Sequence, residues 1–192
     1  WVALTFSVYS AQWLAVVGFL PAIYTQAGVS GGSTAVLTAA VAGVNMIGNM
    51  ASGRLLHRGV APTRLLAVGF VVMGLSTAAA FAGDASAGLP PLARYAALLA
   101  FSAVGGLIPG TLFALAVCAA PGDHLLSTTI GWMQQWSAFG QFAGPPLVAW
   151  VTSRAGGWHW TWLVTGACAC AGLGLTAVIG RWLAAEAALE NR

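Results

Sequence analysis

From Trp1 to Gly53 the chain carries no Asp, Glu, Lys or Arg, and the first formal charges arrive together as Arg54, Arg58 and Arg64. A charge-free run of that length is too long for one membrane crossing, which takes about 20 apolar residues, and right for two. The basic cluster must then lie at a surface, because an arginine at the bilayer centre costs roughly 2.5–3.5 kcal/mol on insertion scales. Basic loops favour the cytoplasmic side, so the same three residues set depth and orientation together.

The rest of the chain has the same character. Only 6% of its 192 residues are charged and 59% are hydrophobic, whereas about a quarter of a soluble domain is charged. An all-α membrane protein follows, with the lipid bilayer as its first partner. The net charge of +3 comes without a single Lys; it is too small and too dispersed for nucleic acid and reads as loop bias. Cys118, Cys168 and Cys170 lie in apolar segments with no CxxC pair and no His nearby at ligand spacing, so they read as small buried packing residues. No metal site or cofactor is expected.

Gly, Ser, Asp and Pro clusters divide the chain into six spans. A polar turn at Thr25–Ser33 separates helices at about 2–25 and 34–56; further spans fall at about 64–81, 92–118, 125–152 and 158–184. Asp84 and Asp123 fall in loops, and Glu186 and Glu190 in a terminal tail. With Arg54, Arg58 and Arg64 inside, six crossings also place Arg181 and Arg192 inside and leave Arg94 and Arg154 outside, so both termini are cytoplasmic. Trp158, Trp160 and Trp162 suit an aromatic belt at the outer interface. Arg94, at the outer start of the fourth span, is read as snorkelling to that interface. The chain starts at Trp1 without an initiator Met or a leader pattern and reads as a fragment.

A faint internal echo, Gly18-Phe-Leu-Pro21 in the first span and Gly106-Leu-Ile-Pro109 in the fourth, suggests two three-helix repeats, one inverted relative to the other. No Ser/His/Asp set, paired carboxylates or phosphate loop occurs within the spans, so catalysis is not expected. The spans offer hydrogen bonding instead. Gln12 with Trp13, Asn45, and Gln134 with Trp136 lie near the middle of their helices; Asn45, Asn49 and Ser52 form one stripe, and Gln134, Ala138 and Gln141 another. Polar groups at that depth face the bundle or a water-filled cavity. A central polar cavity fed by the first, second and fifth spans is expected, the alternative being amides that bond neighbouring helices, each worth about 0.6 kcal/mol. Gly140-x-x-x-Gly144 and Gly106-x-x-x-Gly110 permit close helix crossings, and Pro145-Pro146 should kink the fifth span. No Asp or Glu lies within a span, so a proton carrier would have to come from elsewhere.

Six spans, cytoplasmic termini and the loop Gly53-Arg54-Leu55-Leu56-His57-Arg58-Gly59 together resemble the C-terminal six-helix half of a major facilitator superfamily transporter, and the resemblance covers essentially residues 1–192. The family's loop reads roughly G-x-L-x-D-R-x-G-R-R. Gly53, Leu55, Arg58 and Gly59 keep it; His57 stands where Asp is usual, one residue before the glycine is missing, and Arg64 alone remains downstream. The segment 131–147 is similar to the family's eleventh helix and Gly156-Gly-Trp158 to the start of its twelfth, most of all in the cyanate and nitroimidazole permease-like branch. The resemblance implies a small-solute transporter of the cytoplasmic membrane working by alternating access, as permease rather than enzyme. Gln12, Asn45, Asn49 and Gln134 would supply hydrogen bonds, Trp13, Trp132 and Trp136 apolar walls, and a missing N-terminal six-helix half the other side of the site. Its rivals are a half-size transporter that dimerises and a non-transporting membrane scaffold or receptor.

Overall fold

Between the Gly- and Pro-bearing turns the spans are predominantly apolar, and in a computed structural model each of them is built of α-helix. Residues 1–83, 88–120 and 122–190 are described. Asp84 and Arg192, on which the sequence reading draws, lie outside them. The helices are α1 (Val2–Gln26), α2 (Gly31–Gly43), α3 (Asn45–His57), α4 (Pro62–Phe81), α5 (Pro91–Gly105), α6 (Leu107–Ala119), α7 (Leu126–Ala155) and α8 (Thr161–Glu190), with 3-10 turns at Asp123–Leu125 and Trp158–Trp160. Among the described residues there is no strand.

Two of the expected spans are broken in the middle. The fourth divides at Gly106, three residues before Pro109; proline has no N–H for the Gly105 carbonyl and its ring crowds that oxygen. The second divides at Val44 without a proline. The two breaks are neighbours, since a side chain on Gly106 would overlap the Asn45 carbonyl. Pro21 and the Pro145-Pro146 pair behave differently: α1 and α7 stay helical through them, so the echo between Pro21 and Pro109 does not extend to the local backbone.

The basic turn closes α3 in a defined way. Val60 N–H bonds to the Leu55 carbonyl at 3.0 Å and Gly59 N–H to the Leu56 carbonyl at 2.9 Å, the paired bonds of a Schellman cap. Gly59 takes φ +83° there, and Pro62 starts α4 at a position where no N–H is missed.

Packing joins the spans in three long pairs. Gly140 and Gly144 lay α7 along α1, with any Cβ overlapping the backbones of Ser7 and Ala11. Gly48 meets Ala103 and Gly106, and Gly110 meets Ser52, so the second and fourth spans also run side by side in the same direction. α4 packs against α8 in the opposite sense, Phe70 on Gly172 and Gly74 on Ala169. Leu66, Phe70, Met73, Phe101, Ile108 and Leu112 are fully buried where these pairs meet.

Five segments are long and apolar enough to cross a membrane: Val2–Gln26, Gly31–His57, Pro62–Phe81, Pro91–Ala119 and Trp158–Leu189. The arrangement is compatible with a multi-pass membrane protein. The remaining expected span, the fifth, is α7, which has 30 residues, but Thr128, Thr129, Gln134, Gln135 and Gln141 make it less apolar. Cys118 and Cys170 are exposed on the bundle's surface and Cys168 is half-buried, which corrects the expectation that the cysteines are buried. In a membrane helix the outward face is as apolar as the inward one, so an apolar neighbourhood does not tell inside from outside.

Candidate functional site

Mid-bundle, where the second and fourth spans break, three elements, α1, α3 and α5, bring their polar side chains together. Asn45, at the start of α3, donates both amide protons: one to the Tyr9 hydroxyl at 2.9 Å and one to the Ser102 carbonyl at 2.9 Å. Its own oxygen accepts from Asn49 Nδ2 at 3.0 Å. Ser52 extends the same stripe, donating to the Asn49 carbonyl at 2.7 Å. Trp13 of α1 donates its indole N–H to Ser102 Oγ at 3.2 Å. Four of the expected residues, Trp13, Asn45, Asn49 and Ser52, thus belong to one network with Tyr9 and Ser102.

Local sequence explains the geometry. Asn45 and Asn49 are four apart and stack on one helix face, while Gly48 between them lets α5 and α6 approach closely enough for Asn45 to reach a backbone carbonyl. That carbonyl belongs to the last turn of α5, one helical turn before the Gly106 break. The Ser102 carbonyl also accepts the Gly106 N–H at 3.0 Å, so Asn45 adds a second bond to a carbonyl already in the helix ladder.

Gln12 and Gln134 do not join them. Gln12 is fully buried, but it points to α4, with Nε2 3.7 Å from Met73 Sδ and Oε1 without a hydrogen-bond partner. Gln134 is exposed on α7. Gln12, Asn45 and Gln134 are thus not brought into mutual contact within the described residues. Their depth was legible from sequence, but the direction in which Gln12 points was not, because the apolar residues around it on α1 give no stripe to fix that helix's rotation.

On α7 the exposed surface carries Gln134, Gln141, Trp132, Phe139 and Phe142. Trp136 is half-buried and stands edge-on to both Trp132 and Phe139, with ring centroids 6.1 and 6.2 Å away. Gln141 Nε2 reaches back to Ser137 Oγ at 3.3 Å, and Ser137 shares a 2.7 Å hydroxyl contact with Ser10 of α1. This second polar set fastens α7 to α1. Ser10, Ser102 and Ser137 were missed in the sequence, where nothing separates a serine bonding across helices from one bonding its own backbone.

The basic turn places Gly53, Arg54, His57, Arg58 and Gly59 in an exposed group at the end of α3. Arg54 and His57 lie in the last turn, where positive charge complements the helix dipole. At the opposite end of the bundle Trp158 donates to Gln26 Oε1 at 2.9 Å and packs on Phe19 with centroids 4.9 Å apart, so this indole ties α1 to the start of the last span instead of standing free in a belt. Pro109, Gly140 and Gly144 are buried at helix contacts, Pro145 is half-buried and Pro21 is exposed.

No protein-family model matches the chain, and no curated protein matches it.

Proposed function

We propose that the chain is one six-helix half of an alternating-access transporter of the major facilitator type, carrying a small solute across the cytoplasmic membrane. The observation that carries this reading is the pairing of the spans. Exchanging the first three spans for the last three turns the α1–α7 pair into the pair formed by α2–α3 with α5–α6, and turns α4–α8 into itself. That is the pairing required of two three-helix repeats inserted upside down, the plan on which such transporters are built.

The position of α7 supports a sixth crossing. It follows α1 from Ser7 to Ala11 and beyond, so it spans wherever α1 does, and its lower apolarity suits a helix facing a water-filled pathway. The exposed amides Gln134 and Gln141 supply such a wall. The Asn45 network holds the broken spans together behind it. The other wall belongs to a second six-helix bundle, which would complete the solute site.

Thiol accessibility tests this without knowing the solute. In a variant lacking Cys118, Cys168 and Cys170, Gln134→Cys should react with a water-soluble maleimide from either face of the membrane, because alternating access exposes the same wall to each side in turn. A thiol protected from both faces would mean that Gln134 faces lipid or packed protein, and the transporter reading would fall in favour of a scaffold.

A further inference from the structure

Within α4 the exposed residues are Arg64, Val68, Val71 and Leu75, spaced four, three and four apart, which is one stripe of an α-helix. α8 carries the same spacing in the reverse direction, with Cys170, Gly174, Ala177 and Arg181 exposed. The other faces of α4 are occupied: Gly69 and Met73 close on Ile108 and Gly105, and Phe70 and Gly74 on Gly172 and Ala169 of α8. Both stripes therefore lie on the outside of the α4–α8 pair. Thr63 touches Gly180, so Arg64 and Arg181 stand at the same end, each heading its stripe. From Arg64 to Leu75, and from Arg181 back to Cys170, the helices rise about 16 Å at 1.5 Å per residue, close to half of the about 30 Å hydrocarbon thickness of a bilayer.

We infer that the outer face of the α4–α8 pair binds an anionic phospholipid, its phosphate shared by Arg64 and Arg181 and an acyl chain laid along Val68, Val71 and Leu75. Charge complementarity selects this occupant. Among the described residues neither guanidinium makes an ion pair or a side-chain hydrogen bond, so both keep their donors for a phosphodiester, whose oxygens the guanidinium fork matches in pairs. Glu186, the first acid after Arg181, lies five residues on and about 140° round the helix at 3.6 residues per turn, off the stripe. Arg54 and Arg58 are also exposed at this end and add to a field that favours anionic over zwitterionic headgroups.

Such a lipid would act as a polar tie. Buried hydroxyls on the two helices are spent within their own helix, Thr77 on the Met73 and Gly74 carbonyls and Thr176 on the Gly172 carbonyl, whereas a phosphate held by both arginines joins the start of α4 to the end of α8. The lipid site depends on the chain lying in a bilayer and not on its being a transporter.

Cys170, exposed at the inner end of its stripe, supplies the probe. With Cys118 and Cys168 replaced by Ala, bimane is attached to Cys170 and the chain is placed in phosphatidylcholine nanodiscs. These are doped with phosphatidylglycerol or with phosphatidylcholine, each carrying a nitroxide near the end of one acyl chain. Phosphatidylglycerol should half-quench the bimane at a mole fraction at least about fivefold lower than phosphatidylcholine does, the preference expected of even one basic residue at a headgroup. The double variant Arg64→Gln/Arg181→Gln should bring the two curves together. Arg54→Gln/Arg58→Gln, which removes as much charge from the same end but none from the stripes, should keep most of the difference. Equal quenching by the two lipids in the unsubstituted chain would overturn the inference, as would quenching by neither, which would mean that protein covers this face. So would a preference that survives loss of Arg64 and Arg181, or one lost as fully with Arg54 and Arg58.

Discussion

Replacing Asn45 by Leu would remove two donated hydrogen bonds and one accepted one at a single mid-bundle position. Each such bond in a membrane protein averages about 0.6 kcal/mol, so the expected destabilisation is about 1–2 kcal/mol. Tyr9→Phe removes only the hydroxyl that accepts from Asn45 and should cost about a third as much by the same average. Equilibrium unfolding in lipid–detergent mixtures checks both, and equal losses would show that the tyrosine, not the amide, organises the network. What could be read of this site beforehand was its depth: the spacing of Asn45, Asn49 and Ser52 marks one stripe in the middle of a span. Gln12 was legible as polar and central, yet its contact with Met73 depends on how α1 is rotated, and Val, Leu and Phe on every side of that helix leave the rotation to tertiary packing.

Helix positions were legible because loops in such a chain have distinct chemistry: Gly28 and Gly59 take positive φ, Pro62 and Pro91 begin helices, and charges in the first four spans stay within a turn of the helix ends. Breaks inside spans were not equally legible. Pro109 interrupts its helix, whereas Pro21, Pro145 and Pro146 do not, since neighbouring packing decides whether a lost backbone bond opens the ladder. The glycines give the sharpest expectations at this scale. Gly144→Val would drive a side chain into the Ala11 backbone, and overpacking of this kind costs about 1–3 kcal/mol or forces α7 off α1. Gly131→Ala, on the same helix with nothing within 4 Å, should leave stability unchanged or slightly higher. Thermal unfolding of the two variants side by side separates helix contact from a general intolerance of α7 to substitution. Gly59→Ala is a third case: there is open space around it, but φ is +83°, so it should lose about 1–2 kcal/mol through backbone strain alone, and Gly59→Asn should recover part of that.

At the scale of the whole molecule the charges and the packing can be tested against each other. Gly180 contacts Thr63, which brings Arg181 to the end of the bundle that carries Arg54, Arg58 and Arg64. Arg94 and Trp158 meet at a cavity at the other end, close in sequence to Arg154. Among the described residues four arginines therefore gather at one end and two at the other, and each end collects its members from helices far apart in sequence, so the segregation is a property of the assembled bundle and not of one loop. On the positive-inside preference we propose that the basic end faces the cytoplasm. In the cysteine-free background, Arg58→Cys should be modified by an impermeant maleimide only in inside-out vesicles and Arg154→Cys only in intact cells or right-side-out vesicles. Removing Arg58 leaves Arg54 and Arg64 to hold the orientation, so the label itself should not invert the chain. Opposite labelling of the two sites is the outcome that an even number of crossings with α7 among them requires: Arg154 lies at the C-terminal end of α7, and if α7 stayed on one face of the membrane, Arg154→Cys would react from the same side as Arg58→Cys. That single comparison decides whether the least apolar of the long helices crosses the membrane, and with it whether the paired-triplet arrangement is embedded as one bundle.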